Sequence, residues 1–260
     1  MTRRRVDTLL ADRGLAGSRA SAAASVRAGR VRLGAAGPRA TKPGQLVTEE
    51  TELVVEEPPP YVSRGGLKLA NALSTLGVAV EGRACLDVGA STGGFTDCLL
   101  KHGAKRVIAL DVGHGQLDWA LRNDPRVEVM ERVNARDLRP GALPFEPDLA
   151  TIDVSFISLA LVLPAVAPRL APRADVLALV KPQFELGRER VGKGGVVRSA
   201  DDRRDALLLA ADAAASSGLR LRGFASSGLP GPKGNRESFM WCATESPAMD
   251  AETAAREVEP

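Results

Sequence analysis

The chain has 260 residues, 44% of them hydrophobic and 26% charged, which is the make-up of a globular protein with length for one large or two unequal domains. Three cysteines without a CxxC pair and only two histidines argue against a zinc site or a disulfide framework, so no metal is expected and the thiols read as buried in a reducing compartment. Net charge is only +3 but unevenly placed: residues 1–47 carry ten Arg and Lys against two Asp, and residues 48–57 add five Glu, so a basic module suited to a polyanionic partner precedes an acidic edge.

In chain order, Arg5 to Arg13 reads as a short helix with Val6, Leu9 and Leu10 on one face, ended by Gly14. The charges of Asp7 and Asp12 interrupt any signal-peptide core. Ser18 is placed to cap a second helix, Arg19 to Ala28, and β-type runs follow at 30–33 and 53–56. Pro58-Pro59-Pro60 is a stiff extended spacer. The expected organisation is a small α+β domain over 1–57, a linker over 58–63, a second domain over 64–245 and a flexible tail over 246–260. In the second domain a helix is expected over 64–76. Strands are expected at 84–88, 106–110, 127–130, 148–153, 175–180, 219–225 and 238–243, and helices near 94–102, 115–122, 158–170 and 200–217. Such alternation indicates an α/β fold with a mainly parallel sheet covered on both faces. The most apolar stretch, 156–167, falls far short of the ~20 residues of a membrane span and contains Pro164, so a cytoplasmic protein without a membrane partner is expected.

One segment stands out: Cys85-Leu-Asp-Val-Gly-Ala-Ser-Thr-Gly-Gly-Phe95. A strand running to Asp87 breaks at glycines and enters a helix, which brings bare backbone close to a ligand. Asp111 closes the next strand about twenty residues on, where a carboxylate accepts from two ribose hydroxyls. The glycine spacing is neither the dinucleotide fingerprint nor a P-loop, so a ribose-adenine ligand without phosphates, such as S-adenosyl-L-methionine, fits better. Candidate cofactor residues are Asp87, Gly89, Ala90, Ser91, Gly93, Gly94, Phe95, Asp111, Asn134 and Asp137. Asp87 is expected to hold the methionine amino group directly or through water. Asp137 is expected to accept from the adenine amino group, with a loop-capping role as its alternative.

Three charged residues fall at strand ends: Asp153 after Leu149-Ala-Thr-Ile, Lys181 after Val176-Leu-Ala-Leu-Val, and Glu237 before Ser238-Phe-Met-Trp-Cys. Glu237 reaches the same rim only if its strand runs antiparallel to the others. Here the chain resembles the seven-stranded, Rossmann-like class I S-adenosylmethionine-dependent methyltransferases, whose last strand is reversed. It is similar to their FtsJ-like ribose 2′-O-methylating branch, which uses a Lys-Asp-Lys-Glu tetrad. Asp153, Lys181 and Glu237 match the last three members, and Lys68 in Ser63-Arg-Gly-Gly-Leu-Lys-Leu matches the first. The module from Arg5-Val-Asp-Thr-Leu-Leu to Val55 looks like an S4 RNA-binding domain. The order of these parts, with Thr151-Ile-Asp-Val-Ser-Phe, Val180-Lys-Pro-Gln-Phe-Glu and Gly234-Asn-Arg-Glu, resembles the hemolysin A (TlyA) family of ribosomal RNA 2′-O-methyltransferases.

The resemblance implies cofactor-dependent methylation of cytidine ribose in the rRNA of ribosomal subunits, with Lys181 as the base and Asp153 and Glu237 orienting the amine and hydroxyl. Arg4, Arg19, Arg27, Arg64, Arg188, Arg190 and Lys193 are the candidate RNA contacts. Three rivals remain: a membrane-active hemolysin, a non-catalytic S4-type RNA-binding protein, and a methyltransferase acting on a base or small molecule. Low aromatic content speaks against the first, the intact tetrad against the second, and the absence of an Asn/Asp-Pro-Pro-Tyr motif at Asp153 against the third.

Overall fold

A computed structural model describes residues 2–259, which divide at the proline spacer into two compact units, the first ending at Pro59 and the second beginning at Pro60. The first unit contains β1 (Arg3–Arg5), α1 (Val6–Asp12), α2 (Arg19–Arg27), β2 (Val31–Leu33), β3 (Leu46–Thr48) and β4 (Leu53–Val55). Val6, Leu9 and Leu10 of α1 pack with Ala22 and Val26 of α2 over Val31, Val47 and Leu53, so one apolar stripe per helix builds the core. Two short antiparallel ribbons, β1 with β3 and β2 with β4, complete it. β1 and β3 have no expectation in the sequence, because three consecutive arginines carry no apolar alternation and Leu46–Thr48 is too short to show one.

The second unit runs α3 (Arg64–Leu76), β5 (Ala84–Val88), α4 (Gly94–Lys101), β6 (Arg106–Asp111), α5 (Trp119–Arg122), β7 (Val127–Glu131), β8 (Leu149–Ile152) and α6 (Leu159–Val166). It continues with β9 (Asp175–Val180), α7 (Pro182–Glu185), α8 (Ala200–Ser216), β10 (Arg220–Ser226), β11 (Ser238–Ala243) and α9 (Ala251–Val258). Seven strands form one sheet in the order β7, β6, β5, β8, β9, β11, β10. β5 to β9 pair in parallel, and β11 is antiparallel to both neighbours, so the expected reversal is present. Side chains alternate between two cores. Leu86, Ile108, Ile152, Ala178 and Met240 face α6, α8 and α9, while Cys85, Val107, Leu149, Leu177 and Phe239 face α3 and α4. Burial on both faces is why these strands read as continuous apolar runs.

Two helices are shorter than the sequence suggests. Residues 115–118 stay outside α5, which is capped only at Asp118, and Pro168 turns the end of α6 into a 3-10 turn, Ala167–Arg169.

Residues 246–260, expected as a flexible tail, are instead docked through 259. Met249 donates its N–H to Leu221 O at 2.9 Å, α9 buries Ala254 and Ala255, and Glu259, 4% exposed, accepts from Arg203 Nε at 2.8 Å. A face made of alanines is too weakly apolar to be read in sequence. The buried ion pair completes the docking, and it is a pair that only the fold brings together. Replacing Glu259 by Ala leaves the Arg203 guanidinium with the Arg198 carbonyl alone. Urea unfolding of Glu259→Ala is expected to show a loss of about 3 kcal/mol, whereas a freely solvated tail would show none.

Candidate active site

The sheet reverses direction of travel between β5 and β8, and ligands collect outside the carboxyl ends of strands at such a switch point. Gly89 follows β5 with φ +86°, and a Cβ there would stand 2.3 Å from the Asp153 carbonyl that follows β8. Only glycine lets the two loops approach this closely. Two cavities open here, of about 1050 Å³ and 360 Å³, and they share Gly89, Ser91 and Asp153.

The larger cavity is lined by Asp111, Asn134 and Ala135. The Asp111 carboxylate accepts the Ser91 N–H at 2.7 Å and the Gly113 N–H at 2.6 Å, which fixes its plane at the end of β6 and leaves further lone pairs for a ligand. Asn134 caps the turn Ala135–Asp137 by accepting the Arg136 N–H at 3.2 Å. Asp137, expected to meet an adenine amino group, has a 70% exposed side chain and lies off the cavity wall, which the Asn134–Arg136 stretch lines instead. The smaller cavity is lined by Ser63, Gly65, Lys68, Ala90, Gly94 and Phe95, and it lies at the amino ends of α3 and α4, where unpaired N–H groups favour a carboxylate. Gly93 holds the left-handed turn, φ +94°, that starts α4.

Asp87, expected to hold a methionine amino group directly or through water, is fully buried and lines neither cavity. It accepts from Thr96 Oγ1 at 2.6 Å and from Thr151 Oγ1 at 3.3 Å. Burial pushes its carboxyl up to about 7, against the lowering effect of these bonds.

Four charged side chains form two couples at this rim. Lys181 Nζ lies 2.5 Å from Asp153 Oδ1, and Lys68 Nζ donates to Glu237 Oε2 at 2.5 Å. In the β9–β11 register Ser238 stands opposite Val180, so one further step sets Glu237 across from Lys181. Lys181 also donates to Val154 O at 2.8 Å and Ser155 Oγ at 3.0 Å, which together with Asp153 accounts for all three N–H bonds of an ammonium.

Sequence reasoning missed Ser155 and Phe156. Phe156 has φ +64° and is 91% exposed, with its ring 5.2 Å from that of Phe184. The left-handed region is costly for a bulky side chain, so the loop after β8 holds Phe156 in a strained conformation on the wall of the larger cavity. The signal was an aromatic three residues past a strand-end Asp. Glu185 stabilises this loop by accepting from Ser158 Oγ at 2.6 Å and from the Leu159 N–H at 3.1 Å. Burial raises its pKa.

The candidate RNA contacts are dispersed. Arg64 lines the smaller cavity and donates to Pro230 O, Arg188 lines the larger one, and Lys193 is exposed. Arg190 is instead tied to Asp202 and Asp205, where it pins its segment to α8. In the first unit Arg4 pairs with Asp12 and Glu49, and Arg19 lies 3.4 Å from Asp7, while Arg27 is exposed. The surplus charge of residues 1–47 is therefore partly neutralised within the unit.

Residues 61–244 match the FtsJ-like methyltransferase family model. The chain belongs to the FtsJ-like methyltransferase family. It is 50% identical over 245 residues to the 16S/23S rRNA (cytidine-2′-O)-methyltransferase TlyA of Mycobacterium tuberculosis, covering 94% of this chain and 91% of that protein. It is 40% identical to Hemolysin A of Brachyspira hyodysenteriae, covering 90% and 97%. A putative hemolysin of known structure from Streptococcus thermophilus superposes with a TM-score of 0.75 at 44% identity, over 99% of this chain and 94% of that one. The four residues that matched the family's tetrad in sequence, Lys68, Asp153, Lys181 and Glu237, are gathered at one rim by α3, β8, β9 and β11.

The Asp87 carboxyl titrates near 7 in the folded protein against 3.8 for a free side chain, so folding takes up a proton between those values. Its contribution to stability is therefore lost as pH rises from about 4 to about 7. Urea unfolding across that window is expected to show Asp87→Asn gaining on the wild type as pH increases; a constant difference would mean that Asp87 does not titrate there.

Proposed function

We propose that this protein transfers the methyl group of S-adenosylmethionine to a ribose 2′-hydroxyl of ribosomal RNA, at a cytidine, within a ribosomal subunit in the cytoplasm. The observation that carries the reading is that both cavities meet at Asp153, the carboxylate paired with Lys181. A ligand longer than either cavity passes beside that couple.

The residues fit the cofactor. Asp111 is oriented for a ribose diol, the Asn134–Arg136 stretch for the adenine edge, and the amino ends of α3 and α4 for the methionine carboxylate. When bound, S-adenosylmethionine supplies an electrophilic methyl group. A ribose hydroxyl is a poor nucleophile at neutral pH and needs a base or a field that stabilises its alkoxide. Lys181 Nζ is the group placed to do this, with Asp153 fixing its direction. An incoming hydroxyl takes the place of Ser155 Oγ, the longest of the three contacts and one on the cavity side. Neutral, the amine accepts the hydroxyl's proton; charged, it stabilises the developing oxyanion. The rest of the catalysis is alignment.

Phe156, whose ring is tilted at 48° against that of Phe184, is exposed to the target base, and Arg188 lines the same cavity for a phosphate. The first unit, with its two packed helices and basic surface, serves as the S4-like RNA-binding module, Arg27 being its unpaired exposed cation among the three singled out. The name of the Brachyspira relative suggests membrane activity, but among the described residues no helix is long and apolar enough to cross a membrane.

Two variants separate the roles. In Lys181→Ala the rate of methyl transfer to ribosomal subunits should fall by about 10²-fold or more while calorimetry finds cofactor affinity unchanged. In Asp111→Ala the cofactor affinity should fall, by about tenfold to a hundredfold for each charged hydrogen bond lost. Loss of both properties in either variant would remove the distinction.

A target nucleotide carrying 2′-deoxyribose should bind with near-normal affinity and accept no labelled methyl group, since phosphates and shape supply most of the binding. Methylation of that nucleotide would point to base chemistry instead.

A further inference from the structure

The loop between β10 and β11 delivers Glu237, and one side chain outside the tetrad governs its shape. Asn235 is only 2% exposed. Its Oδ1 accepts the Val197 N–H at 2.8 Å, and its Nδ2 donates to Gly195 O at 2.7 Å. Both halves of the amide are thus satisfied by one three-residue stretch, as a neighbouring strand would satisfy a backbone amide. That stretch is firm. Val197 is buried in the core beside α8, and the Arg190 ion pairs to Asp202 and Asp205 hold the segment before it.

The backbone of Asn235 extends the same grip to the carboxylate. Its carbonyl accepts the Gly231 N–H at 2.9 Å, closing a turn across residues 232–234. Gly231 lies directly against Glu237, and a Cβ at that position would stand 2.2 Å from Oε1. Oε2 meets Lys68 Nζ, and the Glu237 carbonyl accepts the Ser227 N–H at 3.0 Å. One carboxylate oxygen therefore faces a wall that Asn235 holds, and the other faces the lysine.

We propose that Asn235 is a positioning residue for methyl transfer, clamping the loop onto residues 195–197 so that Glu237, and through it Lys68, is aimed at the reacting ribose. The proposal rests on the methyltransferase reading above. A loop staple without a catalytic role would have no reason to act through Glu237, and a double-mutant cycle separates the two.

The readout is the single-turnover rate of methyl transfer to unmodified ribosomal subunits, with KM for the subunits and the S-adenosylmethionine dissociation constant measured alongside. In Asn235→Ala the rate should fall on the order of 10-fold to 10²-fold, as misplacement of a reacting group does, with both affinities little changed. In a Glu237→Ala background the same substitution should cost no more than about twofold further, because the group it aims is gone. Equal losses in both backgrounds, or loss of cofactor binding together with the rate, would overturn the proposal.

Asn235→Asp provides a second arm. A carboxylate cannot donate to Gly195 O, but a protonated acid can, so the ratio of variant to wild-type rate should rise as pH is lowered. A ratio independent of pH counts against the clamp. If Glu237→Ala by itself leaves the rate unchanged, the tetrad reading fails and the proposal falls with it.

Discussion

Two lysines are buried at the carboxyl rim of the sheet, and neither is tolerable there alone. Lys68 and Lys181 are each 8% exposed, and an unpaired ammonium at that depth costs several kcal/mol. Each is matched by a carboxylate at 2.5 Å. The Lys68–Glu237 pair is the more demanding, because it joins the first helix of the second unit to the start of β11 across 169 residues of chain. It requires α3 to dock on the sheet and β11 to run against its neighbours. The reversed strand is thus a condition for burying Lys68, and it puts four charges from four elements at one rim.

The second constraint is steric. The loops after β5 and β8 come so close that residue 89 cannot carry a side chain, and this contact is what makes Asp153 a wall common to both cavities. Beneath it Asp87 is sealed from solvent between Thr96 and Thr151, tying the amino end of α4 to β8. Its carboxyl is a structural brace under the glycine turn, while Asp111, at the rim, presents its free lone pairs to the cavity. Two acidic residues on adjacent strands therefore have different jobs, set by depth alone.

The segments that look mobile in sequence are held by isolated polar side chains. Glu185 ties the Phe156 loop to the turn after Lys181, Asn235 ties the 195–197 stretch to the loop before Glu237, and Glu259 ties the carboxyl-terminal segment to α8. Each bond joins elements far apart in the chain. These ties surround a rim that carries two exposed non-glycine residues in the left-handed region, Ser91 and Phe156.

The order of strands and helices, the division at Pro58–Pro60, the tight turn at Gly89 and three of the four rim charges were legible in the sequence. Each depends on local information: an apolar run buried on both faces, a proline spacer, glycines where backbone must turn tightly, a charge at a strand end; Lys68, inside α3, was singled out only by the family resemblance. Tertiary structure alone decided that Lys68 pairs with Glu237 and Lys181 with Asp153, that Asp87 is sealed while Asp137 is left in solvent, that Arg190 braces α8, and that residues 246–259 dock. The physical reason is common to all of these. Depth and pairing are properties of where segments meet, and a charged side chain at a given position reads the same in sequence whether the fold gives it a partner, a cavity or water.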